Sequence, residues 1–289
     1  MKIGELSGKN YVVTGANSGI GFFAAQRFAE MGANVALVCR SEERGRDAVA
    51  KIIAATGNED IRLYLADFSS LASVSTMADS LLADLTTIDV LCNNAGGANA
   101  GRVVTQEGFE TTFVSNHLSG FLLTQKLMPA ILAAANRDYA RVVFTSSYGH
   151  FNSALDFDDL GLSKDYGTLK AYGRSKLMNL LTARELHAKF GDRNIVASSF
   201  HPGAVRTPIW NKGGMLARVL GLGMYPFMVG IEAGADTFIW LASSEDQACR
   251  NAEGQYFYKR ERAEIAKFVT DEDARRLWKI SEELIAPFS

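Results

Sequence analysis

Short apolar runs alternate with longer segments of helical period along most of this chain. The run at 10–14, Asn-Tyr-Val-Val-Thr, is predicted as a buried strand. Those at 34–39, 61–65, 88–92, 141–146, 195–200 and 255–258 follow as further strands. Between them lie helical patterns from the Gly21 region to about residue 31, then at 42–56, 71–85, 107–135, 170–190 and 231–242. Pro129 is expected to kink the longest of these. Apolar strands with a helix between each consecutive pair argue for a parallel sheet covered on both faces. No linker, repeat or low-complexity segment divides the 289 residues. The predicted fold class is therefore α/β, a single doubly wound domain with a parallel sheet of about seven strands.

Composition narrows the partners. Hydrophobic residues make up 47% and charged residues 21%, the balance of a globular chain with a sizeable core. A net charge of −2 with no basic block gives nucleic acid nothing to hold. Cys39, Cys92 and Cys249 are odd in number and scattered, so they make neither a disulfide framework nor a zinc pattern. Buried thiols in a reducing compartment are the expectation. His117, His150, His187 and His201 are dispersed, and no metal is expected. The chain enters a strand soon after Met1 without an apolar leader, and no uninterrupted apolar run reaches membrane-spanning length. A cytoplasmic protein without a membrane span is expected.

The turn after the first strand carries candidate chemistry. It reads Gly15-Ala16-Asn17-Ser18-Gly19-Ile20-Gly21 and opens an amphipathic helix. Glycines there let backbone approach a pyrophosphate, and the helix start offers free N–H groups and positive potential. The spacing is G-x-x-x-G-x-G rather than the commoner G-x-G-x-x-G. A dinucleotide site usually has an acid at the end of the second strand for the ribose 2′-hydroxyl. Here Cys39-Arg40-Ser41 stands in that place. Arg40, with Ser41, suits a 2′-phosphate, which points to NADP (NADPH) as cofactor.

A second candidate is Tyr172-Gly173-Arg174-Ser175-Lys176. Tyrosine and lysine four apart in a helix share a face, one turn apart. A free phenol ionises near ~10, and lowering it by about three units, worth roughly 4 kcal/mol, would suit proton transfer near neutrality. A neighbouring ammonium favours the phenolate and is expected to supply part of that shift.

Four further stretches stand at predicted strand ends: Asp67-Phe68, Asn93-Asn94-Ala95-Gly96, Ser146-Ser147, and Pro202-Gly203-Ala204-Val205-Arg206-Thr207. With Thr14 to Gly21 and Tyr172 to Lys176, this order resembles the short-chain dehydrogenase/reductase family over most of residues 8–258. Asn116-His117-Leu118-Ser119-Gly120-Phe121-Leu122-Leu123-Thr124, the gap from Ser147 to Tyr172, and Leu277-Trp278 are similar to its retinol-dehydrogenase-like branch. That branch includes relatives of the WW-domain-containing oxidoreductase. Its membrane-bound members begin with a hydrophobic anchor that does not precede this strand, so neither membrane attachment nor retinoid specificity is carried over.

The resemblance implies a Rossmann-type NAD(P)-binding catalytic domain and a role for each matching residue. Tyr172 would be the general acid/base, with Lys176 lowering its pKa and holding the nicotinamide ribose. Ser147 would hold the substrate oxygen, and Asn116 would anchor a water linking Lys176 to solvent. Gly15, Asn17, Ser18, Gly19, Ile20 and Gly21 would cradle the pyrophosphate. Asp67 and Phe68 would meet the adenine, and Asn94, Ala95 and Gly96 would line the adenosine side. Pro202, Gly203, Val205 and Thr207 would lie on the nicotinamide side.

The stretch 208–230 is rich in Met, Leu, Val and Phe. In the family this insertion covers the substrate, which implies a small hydrophobic carbonyl or alcohol substrate. Packing on the core or on a partner subunit is the other use of the same side chains. Residues 97–102 are expected to form a flexible rim. Helices 107–135 and 170–190 commonly pair between subunits in the family, so a homo-oligomer is expected. The function expected is NADP-dependent hydride transfer between the nicotinamide and a carbonyl or alcohol. The alternative is a non-catalytic NADP(H)-sensing regulator on the same fold, which loss of Ser147, Tyr172 or Lys176 would mark; all three are present. An epimerase or dehydratase usually has a larger C-terminal substrate domain, and a serine hydrolase would need a G-x-S-x-G elbow that the chain lacks.

Overall fold

Eight strands form one sheet in the computed structural model of the protein, which describes residues 5–205 and 228–289. They are β1 (Asn10–Thr14), β2 (Asn34–Cys39), β3 (Ile61–Leu65), β4 (Val90–Asn93), β5 (Ala140–Thr145), β6 (Ile195–Phe200), β7 (Tyr256–Tyr258) and β8 (Glu261–Arg262). Their spatial order is β3-β2-β1-β4-β5-β6-β7-β8, and all pairs are parallel except β7 with β8. The expected α/β fold is borne out. The additional strand, β8, has only two residues, both exposed, so it leaves no apolar trace in the sequence.

Alternation along the strands feeds two cores. Tyr11 and Val13 of β1 enter one, with Val35, Leu37, Val90 and Val143. Val12 enters the other, with Ala36, Val38, Leu91, Val142 and Phe144. Successive side chains of a strand point to opposite faces, so a strand buried on both sides reads as a continuous apolar run. Helices α1 (Gly19–Glu30), α2 (Glu42–Thr56), α7 (Ile231–Ser243) and the short α8 (Gln247–Arg250) contribute to the first core. Helices α3 (Leu71–Asp84), α5 (Ser119–Ala135), α6 (Thr168–Phe190) and α9 (Asp271–Ile285) contribute to the second. The strand order reverses between β1 and β4, and ligands of such sheets bind beyond the carboxyl ends at that point.

The helix expected over 107–135 starts later. Glu107 is used elsewhere: its carboxylate accepts from the Leu71 N–H and the Ser70 hydroxyl at the start of α3. Glu110 then caps α4 (Thr111–Phe113), accepting from the N–H groups of Thr112 and Phe113. A π turn, Val114–Leu118, joins α4 to α5. The helix continues through Pro129 to Ala135, and the departure from α-helical hydrogen bonding lies earlier, in the π turn. The stretch Thr111–Ala135 is long and apolar enough to cross a membrane by length and composition, yet 67% of its apolar window is buried in the fold. Its apolarity is that of a core helix between α3 and α6.

Helix α9 is absent from the sequence expectation. Its buried stripe, Ala274, Leu277, Trp278, Ser281 and Ile285, recurs at helical spacing with charged residues between, a pattern that does mark an amphipathic helix. A second signal is Thr270, whose hydroxyl caps Asp273 N–H at 3.0 Å ahead of an acidic first turn. The helix lies across α5 and α6. Trp278 meets Phe121 edge-on at 4.9 Å, Ser281 is 2.9 Å from His117, and Asp271 pairs with Arg184. This packing covers part of the two helices with α9. For the expected homo-oligomer, light scattering at micromolar concentration should return a multiple of the 31.4 kDa mass of one chain, and a monomer mass would overturn it.

Candidate active site

The glycine turn is shaped by close approach. Gly15 has φ +66°, and a Cβ there would lie 3.1 Å from the Ala95 Cα. A Cβ on Gly21 would come within 2.5 Å of both the Gly15 carbonyl oxygen and Asn94 Nδ2. Only glycine lets α1 seat this tightly under the turn. Ser18 is the N-cap residue of α1, but its side chain caps nothing. The first N–H groups of the helix thus keep their capacity to bind an anion. Asn17 is half-buried and Ser18 exposed beside them, while Ile20 packs back on the core. These residues fit the pyrophosphate of a dinucleotide.

Across the crevice, Thr14 and Asn94 lock β1, β4 and β5 together. The Thr14 hydroxyl donates to the Cys92 carbonyl and accepts from Asn94 N–H and Ala95 N–H, each at 2.9 Å. Asn94 Nδ2 donates to the Thr14 carbonyl, and its Oδ1 accepts from the Thr145 hydroxyl. The Asn94 side chain is therefore spent on structure. Gly96 continues the edge, where a Cβ would meet Asn116 Oδ1 at 2.8 Å and Lys176 Nζ at 3.3 Å.

Arg40 leaves the end of β2 exposed, 3.9 Å from the Asp67 carboxylate. Two exposed charges at that distance attract weakly, so the guanidinium remains available to another anion. One Asp67 oxygen accepts from the N–H and hydroxyl of Ser69, which fixes its turn. Ser41 caps α2 by accepting from Arg44 N–H at 3.4 Å. The Phe68 ring packs on the core, and its carbonyl accepts from the Ser119 hydroxyl at 2.8 Å.

Helix α6 presents Tyr172 and Lys176 one turn apart toward the end of β5. Ser147 caps the short helix Tyr148–Asn152, with its hydroxyl 3.2 Å from Gly149 N–H. That turn is pressed against α6: a Cβ on Gly173 would lie 2.6 Å from the Gly149 carbonyl oxygen. Lys176 is buried and donates to the Thr145 carbonyl at 3.1 Å. Its Nζ stands 5.6 Å from the Tyr172 ring centroid. Burial lowers the Lys176 pKa to about 8.

The phenol differs from the expectation of a lowered pKa. Burial pushes Tyr172 up, and the Ser147 hydroxyl opposes it. Lys176 points its charge at a backbone carbonyl, and desolvation dominates the phenol. Asn116 sits in the π turn with a fully engaged amide. Its Nδ2 donates to the Gly97 carbonyl and Ser175 Oγ, and its Oδ1 accepts from Gly97 N–H at 2.8 Å. The expected rim is tied down at that residue.

At the far end, Gly203 has φ +81°, and Val205 is buried in a parallel bridge with Val229. Pro202 and Gly203 lie between β6 and that bridge. Thr207 and residues 208–227 of the expected substrate cover lie outside the described residues.

Three structural contributors carry no sequence signal of their own. Ser175 links Asn116 to the Tyr172 carbonyl, to which its hydroxyl donates at 2.7 Å. The Thr145 carbonyl collects both Lys176 and Asn179. His150 is fully buried, its Nδ1 2.7 Å from the Ser147 carbonyl and its Nε2 accepting from Ala266 N–H at 3.3 Å.

Residues 9–214 match the short chain dehydrogenase family. The chain belongs to that family. This short-chain dehydrogenase is 36% identical over 282 residues to retinol dehydrogenase 12 of Mus musculus, covering 97% of this chain and 87% of that one. It is 35% identical over 280 residues to a Streptomyces sp. (strain C5) protein assigned as a daunorubicin C-13 ketoreductase, covering 96% and 93%. The solved RhlG/NADP complex of Pseudomonas aeruginosa superimposes with a TM-score of 0.70 at 25% identity, covering 89% of this chain and 97% of that one. The resemblance to the retinol-dehydrogenase-like branch is borne out. The short-chain dehydrogenase is an oxidoreductase acting on a hydroxyl or carbonyl substrate, and its family uses NAD(P)(H).

Proposed function

We propose that this protein is an NADPH-dependent carbonyl reductase with Tyr172 as proton donor. The observation that carries this reading is the convergence of Ser147, Tyr172 and Lys176 at the end of β5, with the phenol pushed up by burial. A phenol that keeps its proton at neutral pH is suited to giving it to a carbonyl oxygen. A nicotinamide dinucleotide, when bound, would supply the hydride for the carbonyl carbon. Ser147 holds the oxygen through its hydroxyl, and Tyr172 donates the proton that completes the alcohol. Lys176 adds positive charge beneath the phenol and favours the phenolate left behind. Alcohol oxidation is the same path reversed.

Gly15, Asn17, Ser18, Gly19, Ile20 and Gly21 hold the pyrophosphate, and Asp67 with the Phe68 backbone meets the adenine. Arg40, with Ser41 and Arg44, holds the 2′-phosphate. The exposed, weakly paired Arg40 guanidinium supports this choice, as does the NADP of the RhlG complex. The relatives' names, a retinol dehydrogenase and a daunorubicin ketoreductase, support a hydrophobic substrate.

Cofactor preference tests the assignment. A charge-assisted hydrogen bond contributes about 1.5–3 kcal/mol, so NADPH is expected to be favoured over NADH by roughly ten- to a hundredfold in kcat/KM. Arg40→Asp is expected to reverse the order. Equal kinetics with both cofactors in the unmodified protein would sink the assignment of Arg40.

A further inference from the structure

Large apolar side chains left in solvent are informative where they gather beside a site. Among the described residues, Tyr148, Leu169 and Tyr258 are exposed and flank the Ser147–Tyr172 pair. Tyr148 directly follows Ser147 and is 64% exposed. Its turn is tucked against the phenol: a Cβ on Gly149 would lie 3.9 Å from Tyr172 Cδ1. Leu169 precedes Tyr172 by three residues in α6 and so lies on the same helix face. Tyr258 ends β7, beside β6, and its ring lies within 3.9 Å of where a Gly203 Cβ would be.

The Tyr148 ring is backed by other rings rather than by flexible chains. Phe151 lies 4.7 Å behind it, and His150 lies 4.2 Å from Phe151. His150 in turn meets the buried Tyr256 ring at 4.9 Å, nearly edge-on. His201 bridges the two exposed tyrosines, 6.3 Å from Tyr148 and 5.2 Å from Tyr258. Burial lowers the pKa of both histidines, His201 to about 4, and the cation at this aromatic array is the Lys259 ammonium, 5.3 Å over the Tyr258 ring. A ring-faced surface is matched by a flat π-system, whose offset or edge contacts gain over a saturated chain of equal size.

We propose that the site selects aryl aldehydes and aryl ketones, whose ring rests on Tyr148 while the carbonyl oxygen reaches Ser147 and Tyr172. Leu169 and Tyr258 form the flanks. This rests on the reductase reading above and adds the substrate class.

The test compares 2-naphthaldehyde with undecanal, which has the same number of carbons, as substrates with NADPH. An aromatic contact contributes about 0.5–1.5 kcal/mol, so the aryl-to-alkyl ratio of kcat/KM is expected to exceed unity by roughly three- to tenfold. Tyr148→Ala is expected to lower that ratio by a similar factor, and Tyr148→Phe to keep it. Tyr148 is too exposed for its truncation to threaten the fold. Equilibrium dialysis of 2-naphthaldehyde against the same three proteins supplies a readout independent of turnover. Turnover without aryl preference, or a ratio unmoved by Tyr148→Ala, would overturn the substrate class and leave the reductase reading standing. Binding that depends on Tyr148, with turnover of neither aldehyde, would uphold the aromatic surface and overturn the reductase reading. Neither turnover nor Tyr148-dependent binding would overturn both.

Discussion

Replacing Tyr172 with phenylalanine is expected to lower kcat for carbonyl reduction by about 10²–10⁴-fold, the range for a positioned proton donor. The substitution keeps the half-buried ring and removes only the hydroxyl. Among the described residues, the group that meets that oxygen is the Ser147 hydroxyl. Lys176 keeps its bond to the Thr145 carbonyl, and Asn116 keeps its bonds to Gly97 and Ser175. Affinity for NADPH is therefore expected to stay near that of the unmodified protein. Stopped-flow hydride transfer and cofactor titration measure the two quantities separately. A variant with near-normal turnover on a good substrate would show that another group delivers the proton.

The loss has a direction in pH as well. Burial holds the Tyr172 phenol above its ordinary value. Its proton is thus present across neutral pH, and reduction is not limited by the ionisation of this group there. Oxidation of the alcohol needs the phenolate and is expected to speed up as pH rises. This differs from the lowered phenol that the Tyr-Lys spacing alone suggests. The spacing specifies that two side chains share a helix face. It does not specify where the ammonium points, and here Lys176 turns to a strand carbonyl.

That contrast defines what the sequence makes legible. The central strands were readable because they are buried on both faces and bounded by turn residues, the edge strand β3 because its apolar Ile61 and Tyr64 are buried, and β1, β2, β3 and β6 fall on the residues their apolar runs mark. The glycine turn was readable because its residues are consecutive. Helix α9 carries a legible stripe as well, Ala274, Leu277, Trp278, Ser281 and Ile285 at helical spacing, although the expected elements end at 258; what the stripe does not specify is the surface of α5 and α6 that it covers. The start of α4 shifted because Glu107 caps a different helix, 36 residues earlier in the chain. Ser175 and Thr145 act through a hydroxyl and a carbonyl whose partners lie on other elements. Such long-range polar bonds leave no local pattern. His150 is similar: only the fold brings its ring between the Ser147 carbonyl and the Ala266 N–H.

Replacing Lys176 with methionine is expected to cost activity and raise stability. Burial moves the ammonium from its ordinary 10.5 to about 8. A folded-state lysine pKa below the unfolded value means that the unfolded chain binds more protons between those two values. Stability attributable to this group therefore rises with pH through that window. Below about pH 8 the folded protein carries the full penalty of a buried cation, about 3 kcal/mol at 1.36 per unit. Methionine fills similar space without charge, and the Thr145 carbonyl keeps its bond from Asn179 Nδ2 at 3.0 Å. Urea unfolding at pH 7 is expected to show the variant more stable by an amount of that order, with the gap closing as pH rises toward 10.5. Turnover moves the other way, because the charge that favours the departing phenolate is gone and the expected ribose contact goes with it. In the unmodified protein, reduction is expected to decline as pH passes about 8 and Lys176 loses its proton. The variant should lack that limb of the profile. Unchanged turnover, or a variant less stable than the parent at pH 7, would show that the ammonium is held in the site for neither of the reasons given.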